Sequence, residues 1–135
     1  MSLLIWGAMF EVGVSDIDAQ HRRLFDLANQ LADAVRVGKG QDVLAEVLTE
    51  LVRYTQTHFA FEEQLMSQHH YPAAAEHRQQ HQELVQQVTG FKQRFHAGDQ
   101  LVVEESLQFF THWLSRHIMH IDKAFARDLK AKGVQ

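Results

Sequence analysis

The 135 residues read as an all-α protein: an up-down-up-down antiparallel four-helix bundle preceded by an N-terminal arm. Three observations predict this. Strong helix formers, chiefly Ala, Leu, Gln, Glu and Arg, dominate four long stretches. Apolar residues recur within them at alternating steps of three and four. Short turn-like clusters separate them, namely Gly38-Lys39-Gly40, His70-Tyr71-Pro72 with the only proline, and His96-Ala97-Gly98-Asp99. Helices joined by connections this short pack antiparallel to their neighbours, and four of them close around one core. The length suits one domain over 1–135, since domains usually take roughly 100–200 residues, and it is enough to bury a core without disulfides or a structural metal.

The arm is expected over 1–17. Its apolar opening MSLLIWGAMF lacks a basic leader and is too short to span a bilayer, so neither a signal peptide nor membrane insertion is expected. The first helix, 18–37, carries Ile17, His21, Leu24, Ala28, Leu31 and Val35 on one face. Ser15 with Asp18 three residues on resembles a capping box, and Gly38 suits the C-cap. The second, 42–69, aligns Leu44, Leu48, Leu51, Thr55, His58, Glu62 and Leu65. The third, 73–95, aligns Ala74, His77, His81, Leu84, Val88, Phe91 and Phe95, with Gly98 as its cap. The fourth, 101–132, carries two adjacent rows: Val103, Leu107, Phe110, Leu114, His117 and Ile121, and beside them Ile118, Asp122, Phe125 and Leu129.

Composition narrows the function. A net charge of −4 with histidines neutral, spread without basic clusters, gives no footprint for nucleic acid. Zero cysteines exclude disulfides, thiolate zinc sites, iron–sulfur ligation and a cysteine nucleophile, and fit a reducing cytoplasm. Ten histidines are the anomaly. Five of them, with two carboxylates, fall on the inward stripes: His21, His58, Glu62, His77, His81, His117 and Asp122. A buried carboxylate is costly unless paired, and metal ions resolve the conflict. His58-x-x-x-Glu62 and His77-x-x-x-His81 each stand one turn apart on one helix face. Seven ligands exceed what one ion normally takes, so two ions sharing bridging carboxylates are the economical reading, with iron, manganese, zinc and copper all open. His69, His70 and His96, at helix ends, and His112 and His120, off the stripe, are expected to be incidental. One spacing resists. His117 and Asp122 stand five apart, about 140° around an ideal helix, so either the site is broad or a π-bulge near Met119–Ile121 adds the missing rotation.

Four motifs in order carry a family likeness: Val14-x-x-Ile17-Asp18-x-Gln20-His21, His58-Phe59-x-x-Glu62-Glu63-x-x-Met66, Tyr71-Pro72-x-x-x-x-His77-x-x-x-His81 and His117-Ile118-x-x-x-Asp122-Lys123. On these the sequence resembles the bacteriohemerythrins, bacterial relatives of the oxygen carrier hemerythrin. The resemblance implies two non-haem iron ions with an oxo or hydroxo bridge. His77, His81 and His117 would hold one iron, and His21 and His58 the other. Glu62 and Asp122 would bridge them, and the two-histidine iron would keep an open position for dioxygen. Phe59, Trp113, Leu114 and Ile118 would line that open side, with Trp6 packing over the same end. The function so implied is reversible dioxygen binding for transport, storage or local delivery, by a cytoplasmic monomer that is not an enzyme. Two other readings follow from the same centre: an oxygen, redox or iron sensor, and a di-iron enzyme acting on NO or peroxide.

Overall fold

The computed structural model describes residues 6–135, apart from the side chain of Asp42; the first five residues of the expected arm lie outside them. A 3₁₀ turn, Ala8–Phe10, precedes α1 (Ser15–Arg36), α2 (Gly40–Gln68), α3 (Ala74–His96) and α4 (Val102–Arg116). A π-helical segment, His117–Asp122, then runs directly into α5 (Lys123–Ala131). The expected fourth helix is therefore one rod of three parts. Contacts join α1 to α2, α2 to α3, α3 to α4 and α4 back to α1, which closes the ring of an up-down-up-down bundle.

The stripes define the core. Ile17, Leu24, Ala28 and Leu31 of α1, Leu44, Leu48 and Leu51 of α2, Leu84, Val88 and Phe91 of α3, and Leu107, Phe110 and Leu114 of α4 are all buried. Across the π segment the inward set moves by one residue. Ile121 is only half-buried, whereas Asp122, Phe125 and Leu129 are buried. Hydrogen bonding from i to i+5 sets residues five apart one turn above each other, as i to i+4 bonding does for residues four apart. The two rows read along the fourth stretch are thus one face, interrupted by one extra residue, and the π alternative is the one the fold adopts.

Helix ends explain the turns. Lys39 N–H donates to Ala34 O and Gly38 N–H to Val35 O, while Asp99 N–H donates to Arg94 O and Gly98 N–H to Phe95 O. Both glycines have positive φ, 76° and 90°, so each closes its helix in a Schellman motif as expected. His70 takes the same left-handed position after α2, with φ 53° and Tyr71 N–H donating to Met66 O.

The capping-box expectation for Ser15 is corrected. Ser15 is already the first helical residue, and no side chain caps α1. Asp18 instead accepts from the backbone N–H of Val12 at 2.8 Å and of Gly13 at 3.2 Å. Gly13, with φ 91°, turns the arm so that its amides face the first turn, where a carboxylate is favoured.

Gly40 opens α2 against a tight contact. A Cβ there would lie 2.8 Å from Val103 Cγ1 and 2.9 Å from Val35 Cγ2. Gly40→Ala should gain about 1 kcal/mol of helix propensity but lose about 1–3 kcal/mol to overpacking between stiff valines. A net loss of stability is expected in urea unfolding, and a net gain would show that α1 and α4 yield freely at this end.

Candidate metal centre

All seven inward polar residues are buried, between 0 and 4 % exposed. His21 comes from α1, His58 and Glu62 from α2, His77 and His81 from α3, and His117 and Asp122 from the two ends of the π segment. Their ligand-bearing atoms fall into two groups, each within 4.8 Å: Glu62, His77, His81, His117 and Asp122, and His21, His58, Glu62 and Asp122. The carboxylates Glu62 and Asp122 belong to both.

Distances show how the sharing works. Asp122 Oδ2 lies 2.9 Å from His21 Nε2, while its Oδ1 lies 3.0 Å from His77 Nε2 and 3.1 Å from His117 Nε2. Glu62 Oε1 lies 3.3 Å from His58 Nε2, 3.2 Å from His81 Nε2 and 3.8 Å from His77 Nε2. Every one of these imidazoles turns Nε2 inward. Both oxygens of each carboxylate, and the Nε2 atoms of His21, His77, His81 and His117, are buried without a hydrogen-bond partner. So many orphaned polar atoms aimed at one interior point would be costly in a chain that leaves them alone. Nitrogen and oxygen donors without sulfur suit a first-row transition metal, so the residues fit a two-ion centre.

The electrostatics agree. Burial lowers the His58 imidazole to about 4 and the His81 imidazole to about 2, which keeps both neutral and ready to donate a lone pair. Burial, reinforced by the Asp122 carboxylate, pushes Glu62 up to about 8. Burial would also raise Asp122, but His117 and His21 outweigh it and hold Asp122 well below its usual value. Two carboxylates in one dry pocket are thereby driven apart, and a divalent ion between them removes the conflict.

Three residues that the sequence reading gave no role brace the candidate donors. His58 Nδ1–H donates to Gln20 Oε1, His117 Nδ1–H to Gln80 Oε1 at 3.1 Å, and His81 Nδ1–H to Glu63 Oε2 at 3.5 Å. Each bond leaves Nε2 as the free donor atom and fixes the ring plane. Gln20, Gln80 and Glu63 each directly adjoin a candidate donor in sequence, but each serves a candidate donor on the neighbouring helix. That adjacency, with the place of Gln20 and Glu63 in the motifs quoted above, was the available signal, and it does not say which ring is reached. Gln20→Leu should weaken metal affinity about 10–100-fold, as measured by competition with a chelator.

Aromatic rings sheathe the three-histidine group. Phe59 stacks on His81 with centroids 3.6 Å apart and Trp113 on His117 at 4.2 Å, while Phe125 stands edge-on to His77 at 5.4 Å. Phe59, Leu114 and Ile118 are buried and Trp113 is half-buried. Trp6 packs on the helix that carries His21: its ring meets Phe10 and Phe25, with the Arg22 guanidinium 5.3 Å from its centroid. Phe25, one turn beyond His21, supplies the aromatic surface that takes the arm. His70, His96, His112 and His120 are exposed and His69 is half-buried; none of the five joins either group.

Comparison with known proteins matches this arrangement. The hemerythrin HHE cation binding domain family matches residues 12–129, a span that contains all seven side chains. The chain is 37% identical over 131 residues to a bacteriohemerythrin of Stenotrophomonas maltophilia, covering 97% of this chain and 84% of that protein. It is 33% identical over 132 residues to a bacteriohemerythrin of Methylococcus capsulatus, covering 97% and 100%. A crystal structure of wild-type hemerythrin superimposes with a TM-score of 0.86 at 32% identity, covering 95% of this chain and 98% of that one. With the bundle, the paired donor groups and these likenesses all in agreement, the chain belongs to the hemerythrin family.

Proposed function

We infer that the protein binds dioxygen reversibly at two non-haem iron ions. His77, His81 and His117 would hold one ion and His21 and His58 the other, with Glu62 and Asp122 shared. The observation that carries this is the unequal division of donors around two common carboxylates: three imidazoles on one side and two on the other. Iron at such a site supplies the electrons that reversible oxygen binding requires. The chain's own residues do the rest. Shared carboxylates set the spacing of the pair, and the second, poorer group leaves room for a small ligand. Phe59, whose ring also reaches His58 with centroids 5.7 Å apart, would keep bulk water from that room together with the buried Leu114 and Ile118, while Trp113, stacked on His117, covers the three-histidine side; excluding water slows irreversible loss of the bound gas. Histidine-rich ligation, in place of the Glu-x-x-His motifs of oxidative di-iron bundles, favours binding over turnover, so the protein is a carrier or store and not an enzyme.

A bridging oxygen atom between the irons, a cytoplasmic location and a monomeric state belong to the same reading. The large apolar side chains most exposed among the described residues, Met9, Val37 and Leu101, are scattered single residues, which supports a monomer. No helix among the described residues is long and apolar enough to cross a membrane.

The test is optical. Protein loaded with iron and reduced under nitrogen should contain two irons per chain and be nearly colourless. It should gain a visible absorption band in air and lose it again under nitrogen. A band that forms once and never reverses, with both irons retained, would sink the carrier reading.

A further inference from the structure

One wall of the metal centre is a single imidazole thick. His117 is the most exposed of the seven donor residues, at 4 %, and it lines a surface cleft of about 380 Å³ between α3 and α4. Trp113 lines the same cleft and stacks on the His117 ring nearly in parallel, 12° between planes at 4.2 Å. A half-buried indole thus joins the cleft to an imidazole whose Nε2 faces the donor cluster, with His117 Nδ1 fixed by Gln80. The cleft is also polar in a particular way. Arg116, one turn beyond Trp113, and His112 and His120 supply positive or ionisable groups, while Glu83 on α3 supplies an acceptor. Its size lies in the range of small-molecule sites, roughly 300–1,000 Å³.

We propose that this cleft docks a small, planar, anionic electron donor of the reduced-flavin class, and that Trp113 stacked on His117 couples the donor to the metal centre. The inference rests on the metal-centre reading above. Each element of the donor finds a counterpart. Its ring stacks on the indole of Trp113, its phosphate meets the guanidinium of Arg116, which recognises phosphate in two-pronged fashion, and its ring N–H groups face Glu83. A notch of this volume between helices suits a small molecule, since a protein donor would need a broad flat patch. A hydride donor does not serve, because a metal reached through an aromatic stack accepts electrons singly, and flavins give them singly. The step balances: one reduced flavin is oxidised to flavin, two electrons pass to two trivalent irons, which each become divalent, and two protons leave to solvent. It restores the oxygen-binding state after an oxygen escapes with an electron pair.

Two measurements test this and fail independently. In the first, metal-free protein is titrated into flavin mononucleotide and the flavin's own fluorescence is read. Saturable quenching is expected. Arg116→Ala should weaken the binding by about ten-fold or more, and Trp113→Leu should remove the quenching. No saturable quenching, or quenching indifferent to both substitutions, would overturn the docking site, whether or not the protein holds iron. In the second, oxidised iron-loaded protein is mixed without oxygen with reduced flavin mononucleotide or, separately, with dithionite. The rate with flavin should saturate, and Trp113→Leu should lower it about ten-fold or more relative to its own dithionite rate, at equal iron content. Equal slowing by both reductants, or no slowing with flavin, would overturn the role of the stack. Failure to retain iron at all would strike the metal-centre reading and leave the binding result standing.

Discussion

Glu62→Leu should yield a protein that is more stable than the parent when metal-free, yet takes up at most one metal ion per chain where two are expected for the parent. Glu62 is fully buried, and neither carboxylate oxygen has a hydrogen-bond partner. The two nearest imidazoles, His58 and His81, are held neutral by burial, and Glu62 itself, pushed up to about 8, keeps its proton at neutral pH, so removing the acid breaks no ion pair with either ring. Replacing such a group by a hydrocarbon of similar volume stabilises by about 1–4 kcal/mol, read as a higher midpoint in urea. The metal result runs the other way, because both donor groups include Glu62. A variant that gained no stability and still bound two ions would show that Glu62 is neither strained nor shared.

The same residue gives the metal-free parent a distinctive pH profile. Glu62 is raised from its usual 4.5 to about 8, so the folded state holds a proton that the unfolded chain has released. Stability from this group is full below 4.5 and falls as pH rises towards 8. His58 and His81 act oppositely. Lowered from 6.5 to about 4 and about 2, they lose stability as pH falls below 6.5 and are silent above it. Between pH 6.5 and 8 Glu62 therefore stands alone among these three, and the metal-free parent should lose on the order of 1–2 kcal/mol there. Glu62→Leu should lose the part of that slope that Glu62 contributes.

Most of the site was legible because both of its requirements write themselves at helical spacing. A residue on an inward stripe is buried whatever its chemistry, so His21, His58, His77, His81 and Glu62 could be placed by counting threes and fours. What failed was everything that depends on how one helix faces the next. Gln20, Gln80 and Glu63 reach across to a ring on a neighbouring element, and no periodicity within one helix encodes that reach. The contacts of Trp6 were open for a related reason: an arm has no period, and its docking is decided by the apolar surface that Phe25 offers to Trp6 and Phe10. Ser15 was misread because the extended N-cap is Val14, one residue earlier, where no side chain can cap, and the positive φ of Gly13 turns the arm's amides onto Asp18.

The π segment stands between these cases, since two rows offset by one residue were visible and only their cause was open. That cause predicts a sharp contrast between two deletions. Removing Met119 leaves His117 and Asp122 four apart, still one turn from each other in an unbroken α-helix, and keeps Phe125, Ala126 and Leu129 pointing inward. The shortened protein should fold cooperatively, within about 2 kcal/mol of the parent. Removing Gln108, an exposed residue of straight α4, has no such refuge. About 100° of rotation must be absorbed, which turns outward either Val103 and Leu107 before the gap or Phe110, Leu114, Phe125 and Leu129 after it. No cooperative unfolding transition is expected for that variant. If both deletions unfold the chain, the extra residue is needed for packing and is no removable insertion. If the Met119 deletion folds but binds metal more weakly, the cost of the irregular turn has one compensation: it aims the Asp122 carboxylate between the two donor groups, which a straight helix of the same stability does less well.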